Sequence, residues 1–197
     1  MRRETWPLVG RADELAYVAR SLEEGRGVLL AGAAGVGKSR LASEVVASMA
    51  EDGWSTVAVS VGTESASAPF SPFAALLSEG ELGDGVDRIV RATHAIEARG
   101  ERVLVSVDDA HLLDDVSVAF LRHLLTATTA RLLLTVRSGT PAPEGLQSMW
   151  QSGDVHRIEV QPLSRPEVAD LLDRVLAAPV DLAVTRWVWV TSEGNPL

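Results

Sequence analysis

The chain has no cysteine, one tyrosine and only one lysine among its 197 residues. Without cysteine there is no disulfide framework and no thiolate for metal or redox chemistry. No run of about 18 apolar residues occurs. Nor does a charged start lead into a hydrophobic stretch, so neither a membrane span nor a secretory signal is expected, and the chain reads as cytoplasmic with no membrane partner. Basic residues number 18 against 27 acidic ones, a formal charge of −9. Gripping a nucleic acid backbone takes clustered lysine and arginine, so direct nucleic acid binding by this chain is not expected. What is present, 46% hydrophobic and 23% charged residues, suffices for one buried core and reads as one α/β domain.

The single lysine is the most telling residue. The other 17 of the 18 basic residues are arginines, as if every position needing only a positive charge had drifted to arginine. Lys38 stands in Gly32-Ala33-Ala34-Gly35-Val36-Gly37-Lys38-Ser39, the pattern G-x-x-x-x-G-K-[ST] of a phosphate-binding loop, or Walker A motif. A compact ammonium has to lie between the β- and γ-phosphates there, where a planar guanidinium does not fit. The surroundings agree: Gly27–Ala31 is a short apolar run suited to a buried strand, and Leu41, Val45 and Met49, with Ala42 and Val46 beside them, open a helix after the loop. In that strand, loop, helix order the backbone amides point at phosphate, and Ser39 offers its hydroxyl to Mg²⁺. The candidate nucleotide-binding residues are therefore Gly32, Ala33, Ala34, Gly35, Val36, Gly37, Lys38, Ser39 and the adjoining Arg40, with ATP or ADP and Mg²⁺ as ligands.

Periodicity places the rest of the chain in alternating elements. Leu15, Val18, Ala19 and Leu22 predict a helix from about 12 to 24, stopped at Gly25. Strands are expected at 54–61, 103–107, 131–136 and 155–160, with a helix at 115–126 carrying Val116, Phe120 and Leu124. Ser164-Arg165-Pro166-Glu167 is a capping box ahead of a helix through Leu176. Residues 180–193 are rich in β-branched residues, yet Asp181 and Gly194 look like caps, and helix is favoured. Pro141–Gly145 and Glu79–Gly85 read as loops. Strands separated by helical segments imply a parallel sheet with helices on both faces and a ligand at the carboxyl ends of the strands. The five tryptophans read as packing residues, since none forms a stacking ladder with basic neighbours.

Two of those strand ends carry charge. Val103–Val107 runs into Asp108 and Asp109, a Walker B pattern in which Asp108 would hold Mg²⁺, mostly through water. Asp109 would orient or deprotonate the attacking water, and because it is one methylene shorter than glutamate, slow hydrolysis is expected. Arg137, at the end of Arg131–Val136, is a candidate sensor of the γ-phosphate. With Lys38 and Asp109 it completes the candidate catalytic set, while Ser39 and Asp108 are the candidate metal ligands. His111 follows the acids and could cap the next helix or touch the site, although a lone histidine is more often structural.

Leu8-Val9-Gly10-Arg11 with Glu14, the phosphate loop, Val107-Asp108-Asp109-Ala110-His111, Thr135-Val136-Arg137 and Glu193-Gly194-Asn195-Pro196-Leu197 together resemble the ATPase domain of the STAND class, which is related to AAA+ proteins. Within that class the chain looks most like the large LuxR-type regulators similar to the maltose activator. The resemblance covers essentially the whole chain, with one departure, Ala12 where the pattern usually has an acidic residue. It implies a three-layer P-loop NTPase fold with a five-stranded parallel sheet in the order 5-1-4-3-2. It also implies an N-terminal adenine-side segment (1–26), a core (27–177) and a C-terminal helix with its Gly-Asn-Pro-Leu segment (178–197). Val9, Gly10 and Arg11 would cover the adenine side, and Pro196 would touch the base. Such domains are switches, closed with ADP and open with ATP, that gate self-association of a larger regulator. Its DNA binding would come from a C-terminal region outside this chain, which then reads as one domain of a longer protein. The alternative readings are a free-standing AAA+ ATPase that remodels a protein or DNA partner, a small-molecule kinase, and a scaffold with structural nucleotide.

Overall fold

The computed structural model describes residues 6–62, 68–77 and 84–196. Twelve helices and strands alternate along them: α1 (Ala12–Glu23), β1 (Gly27–Gly32), α2 (Lys38–Glu51), β2 (Ser55–Ser60), α3 (Gly85–Glu97), β3 (Val103–Asp108), α4 (Asp115–Ala127), β4 (Arg131–Arg137), α5 (Glu144–Gln151), β5 (Val155–Glu159), α6 (Arg165–Leu176) and α7 (Leu182–Ser192). Short 3₁₀ turns occupy Ser71–Leu76 and Ala110–Leu112. Every strand pairing is parallel. The strand order is β2-β3-β4-β1-β5, which read from the opposite edge is 5-1-4-3-2.

Alternation along the inner strands explains the layering, because successive side chains leave a strand on opposite faces. Leu29, Ala31, Val103, Val105, Val107, Leu132 and Leu134 face one core, shared with Ala92 and Ile96 of α3, Phe120, Leu121 and Leu124 of α4, and Leu146 and Met149 of α5. Val28, Leu30, Leu104 and Leu133 face the other, shared with Val18 and Leu22 of α1 and Leu41, Val45 and Met49 of α2. Phe70, Phe73 and Phe120 meet with ring centroids 4.9–5.6 Å apart, fixing the segment after β2 against α4. A third, smaller cluster stands apart from the sheet: Val9, Leu163, Val168 and Leu171, with Leu172, Val188 and Trp189 packed on it. It binds the segment before α1 to α6 and α7.

Three expectations change. Residues 141–145 are not simply a loop, since Glu144 opens α5; Leu146 and Met149 give that helix its buried face, but eight residues are too few for a clear period. Helix α3 has no counterpart in the sequence reading, and of the loop expected at 79–85 residues 79–83 lie outside the described residues, as does Leu197. The tryptophans are not uniformly packing residues: Trp54 is buried, whereas Trp6 and Trp187 are 53% and 68% exposed. The segment 180–193 does form a helix. Asp181 caps it by accepting from the Ala183 amide at 2.7 Å, and Glu193 and Gly194 end it in the left-handed region.

Candidate functional site

The parallel sheet brings the polar ends of β1, β3, β4 and β5 to one edge. The loop after β1 wraps the start of α2, and Gly37 serves as its N-cap at φ 99°, a backbone conformation that only glycine adopts without strain. The Lys38 side chain folds back along the loop, its ammonium donating to the carbonyls of Gly32 at 3.1 Å and Ala33 at 2.8 Å. It is 7% exposed. Burial pushes its pKa below the ordinary 10.5, with Asp109 opposing and Arg137 adding to the shift.

Register sets the acids beside this loop. Val107 of β3 pairs with Leu134 of β4, so Asp108 and Thr135 come next on adjacent strands. Ser39 Oγ donates to Asp108 Oδ1 at 2.8 Å, and Thr135 Oγ1 donates to the same oxygen at 2.5 Å. Thr135 is fully buried, and its hydroxyl also accepts from the Asp109 amide at 2.9 Å. Asp109 itself is held at φ 55°, ψ 42°, in the left-handed region. Its carboxylate is about half exposed and lies 3.8 Å from Nδ1 of His111. Arg137 pairs in register with Gly32 and is exposed, yet close enough to lower the pKa values of both Lys38 and His111.

From the loop a cavity of about 470 Å³ opens toward the third cluster. Gly35, Val36, Gly37, Lys38, Ser39 and Arg40 form one wall, and Trp6, Pro7, Leu8, Val9, Leu163, Leu171 and Pro196 form an apolar one. Arg11, 5% exposed, joins the two walls. Its guanidinium donates to the carbonyl of Val36 at 3.3 Å and of Gln161 at 2.5 Å, and pairs with Glu14 at 2.9 Å. From the far side Asn195 Nδ2 donates to the carbonyl of Ala34 at 2.8 Å, and Gly35 approaches that amide so closely that a Cβ would collide with it.

Of the residues singled out in the sequence, Val9, Arg11, Gly35 to Arg40 and Pro196 line the cavity. Gly32, Ala33 and Ala34 do not line it; their carbonyls accept from Lys38 and Asn195, and Asp108, Asp109 and Arg137 stand at the adjoining strand ends. Gly10 is elsewhere, against the side chain of Glu167. Sequence reasoning passed over Thr135 and Asn195 as contributors. Thr135 carried a signal, a single hydroxyl inside the apolar run Leu132–Val136. Asn195 carried only its place between Gly194 and Pro196. Leu163 and Leu171 had no local signal at all, because their place depends on where α6 docks.

Residues 7–98 match the family model described as AAA ATPase domain. No curated protein matches the chain in sequence. Among solved structures it is similar to the Aeropyrum pernix Orc1 protein in complex with DNA, with a TM-score of 0.70 and 17% identity over 96% of this chain and 56% of that one. It is similar to AMPPCP-bound DnaA from Aquifex aeolicus, with a TM-score of 0.63 and 16% identity over 92% and 57%. The Thermotoga maritima RuvB Holliday junction branch migration motor gives a TM-score of 0.59 and 16% identity over 95% and 58%. The chain thus has the α/β fold of P-loop NTPases and spans a little more than half the length of these structures.

Proposed function

We propose that this chain is a nucleotide-binding switch domain that holds ATP or ADP with Mg²⁺ and hydrolyses ATP slowly. One observation carries the reading: a single cavity joins the phosphate loop, Gly35 to Arg40, to an apolar wall built from Val9, Leu163, Leu171 and Pro196. Its volume falls in the range of about 300–1,000 Å³ typical of small-molecule sites, and its two walls suit the two halves of a nucleotide. The amides of the loop and the start of α2 take the phosphates. Lys38 exchanges its bonds to the Gly32 and Ala33 carbonyls for bonds to the phosphate tail. The apolar wall takes the base, and Arg11 keeps both walls in register.

Ser39 and Asp108, already 2.8 Å apart, fit a magnesium ion. Among the described residues no group of three or more histidine or acidic side chains converges on a metal position, which suits an ion that keeps several waters and shares phosphate oxygens. When bound, Mg²⁺ would neutralise charge on the phosphates. The chain's own residues do the rest: Asp109 orients the attacking water and accepts its proton, and Arg137 stabilises the charge of the γ-phosphate. Asp109 is short and half exposed, so turnover is slow.

We further propose that the domain belongs to a STAND-class, LuxR-type regulator of the cytoplasm, in which nucleotide state gates self-association and a separate region binds DNA. The Leu-Val-Gly-Arg, Val-Asp-Asp-Ala-His, Thr-Val-Arg and Gly-Asn-Pro-Leu segments support this, as does a net charge of −9, which disfavours contact with a DNA backbone. Among the described residues no helix is long and apolar enough to cross a membrane. Calorimetry with ATP, ADP and GTP in Mg²⁺, on the wild type and Lys38→Ala, tests the nucleotide reading: binding lost in the variant supports it, and unchanged affinity overturns it. Gel filtration of the longer protein with ADP and with a non-hydrolysable ATP analogue tests the gating.

A further inference from the structure

The His111 imidazole has no part in the scheme above, although it lies against the acid pair. We propose that His111 is a positioning residue for Asp109, fixing the direction of its carboxylate while Thr135 fixes its backbone. This rests on the hydrolysis reading of the same site.

Asp109 needs holding twice. A non-glycine residue at φ 55° occupies a disfavoured region and persists only where its surroundings determine it. The Thr135 hydroxyl supplies one restraint, accepting the Asp109 amide at 2.9 Å from a fully buried position. That bond sets the backbone and leaves the carboxylate free to turn. The 3₁₀ turn Ala110–Leu112, closed by the Leu112 amide on the Asp109 carbonyl at 2.9 Å, brings the His111 ring back beside the acid. The ring is 6% exposed, and its Nδ1 is buried with no hydrogen-bond partner.

A buried, unpartnered ring nitrogen is costly, and native interiors rarely leave one without a reason. Asp109 Oδ1, 3.8 Å away, is the acceptor paired with it. That separation is beyond a hydrogen bond, but bonds of a catalytic group are commonly long before substrate binds and tighten in the complex. Burial lowers the pKa of the imidazole, Asp109 opposes this and Arg137 and Lys38 reinforce it, so the ring is neutral near neutral pH. A neutral Nδ1–H orients a carboxylate without cancelling its charge, which is what an acid that aligns water requires.

The test is single-turnover ATP hydrolysis at saturating nucleotide and Mg²⁺ for the wild type, His111→Leu, His111→Asn, Asp109→Asn and the double variant His111→Leu/Asp109→Asn. The hydrolysis rate of His111→Leu falls about tenfold, the scale of one hydrogen bond to a charged group, with nucleotide affinity unchanged. His111→Asn, whose amide reaches where Nδ1 stood, retains most of the rate. The double variant is no slower than Asp109→Asn alone, because a residue acting through Asp109 has nothing left to act on. In parallel, the imidazole nitrogen resonances of His111 are compared in wild type and Asp109→Asn, where the Nδ1 signal moves. Wild-type rates in His111→Leu, an additive double variant or an unmoved Nδ1 signal each overturn the proposal. If His111→Leu fails to fold, His111→Asn and the resonance comparison still decide. If the wild type holds nucleotide but never hydrolyses it, the hydrolysis reading fails by itself, and the Nδ1 response alone decides whether His111 holds Asp109.

Discussion

Asn195 Nδ2 donates to the carbonyl of Ala34 at 2.8 Å across 161 residues of sequence, so the segment after α7 rests directly on the phosphate loop. Removing this contact in Asn195→Ala is expected to lower stability by roughly 1 kcal/mol, the scale of a single hydrogen bond, and to weaken nucleotide binding by loosening the loop. Gly35→Ala is expected to be worse, since it adds a Cβ at φ 83° against the Asn195 amide. Combining the two relieves the collision and leaves the backbone strain. Titration calorimetry and thermal melts on the three variants separate these terms.

Arg11 links three parts of the chain from a position 5% exposed, through Glu14 and the carbonyls of Val36 and Gln161. Arg11→Ala removes the donor from the buried Val36 carbonyl and from the part-buried Gln161 carbonyl, and a stability loss of about 1–3 kcal/mol is expected. Arg11→Lys recovers only part of this, because a single ammonium cannot span the same fork. Chemical denaturation measures both, and an Arg11→Ala midpoint matching the wild type contradicts the role given to Arg11.

The fold was legible where one period dominated. β1, β3 and β4 are apolar because they are buried on both faces, and α1, α2, α4 and α6 carry clear helical spacing. Helix α3 was not legible. Val86 and Val90 are exposed, and only Ala92, Thr93 and Ile96 are buried. The phosphate loop and the two acids could be read from local patterns because their chemistry needs contiguous residues. Thr135 takes its meaning from the sheet register, and Asn195 and Leu171 from the docking of α6 and α7, which no local window contains, whereas His111 reaches Asp109 through a local turn.

The pH dependence of binding follows from Lys38. Burial sets its pKa in the nucleotide-free protein below the ordinary 10.5, whereas a bound phosphate tail favours the ammonium and raises it. At pH values below the lowered free-state value the lysine is charged in both states, and binding exchanges no proton there. As pH rises through the lowered free-state value, binding takes up a proton and affinity falls. Calorimetry in alkaline buffers of differing ionisation enthalpy detects that uptake, and an affinity that stays level on the alkaline side contradicts it.

Asp114 anchors the start of α4. Burial pushes its carboxyl pKa up, but the Ser117 hydroxyl at 2.6 Å and the amides of Ser117, Phe70 and Val116 outweigh this and hold it below the ordinary 3.8. A carboxylate with a depressed folded pKa contributes stability that is complete above its unfolded value and lost as pH falls through the folded one. Asp114→Ala is expected to cost about 1–2 kcal/mol at neutral pH, as for loss of an N-cap. The deficit relative to wild type should shrink below pH 3.8. Melting temperatures of the two proteins across that acid range check the convergence.

The chain has a single side-chain amine, and the loop wraps it with its own carbonyls. An acylating reagent carried by a nucleotide therefore has one lysine to find, and the yield at position 38 becomes a gauge of whether the pocket is filled. In a lysine-rich homologue the same measurement would drown in surface labelling; here the scarcity of lysine makes the site its own reporter.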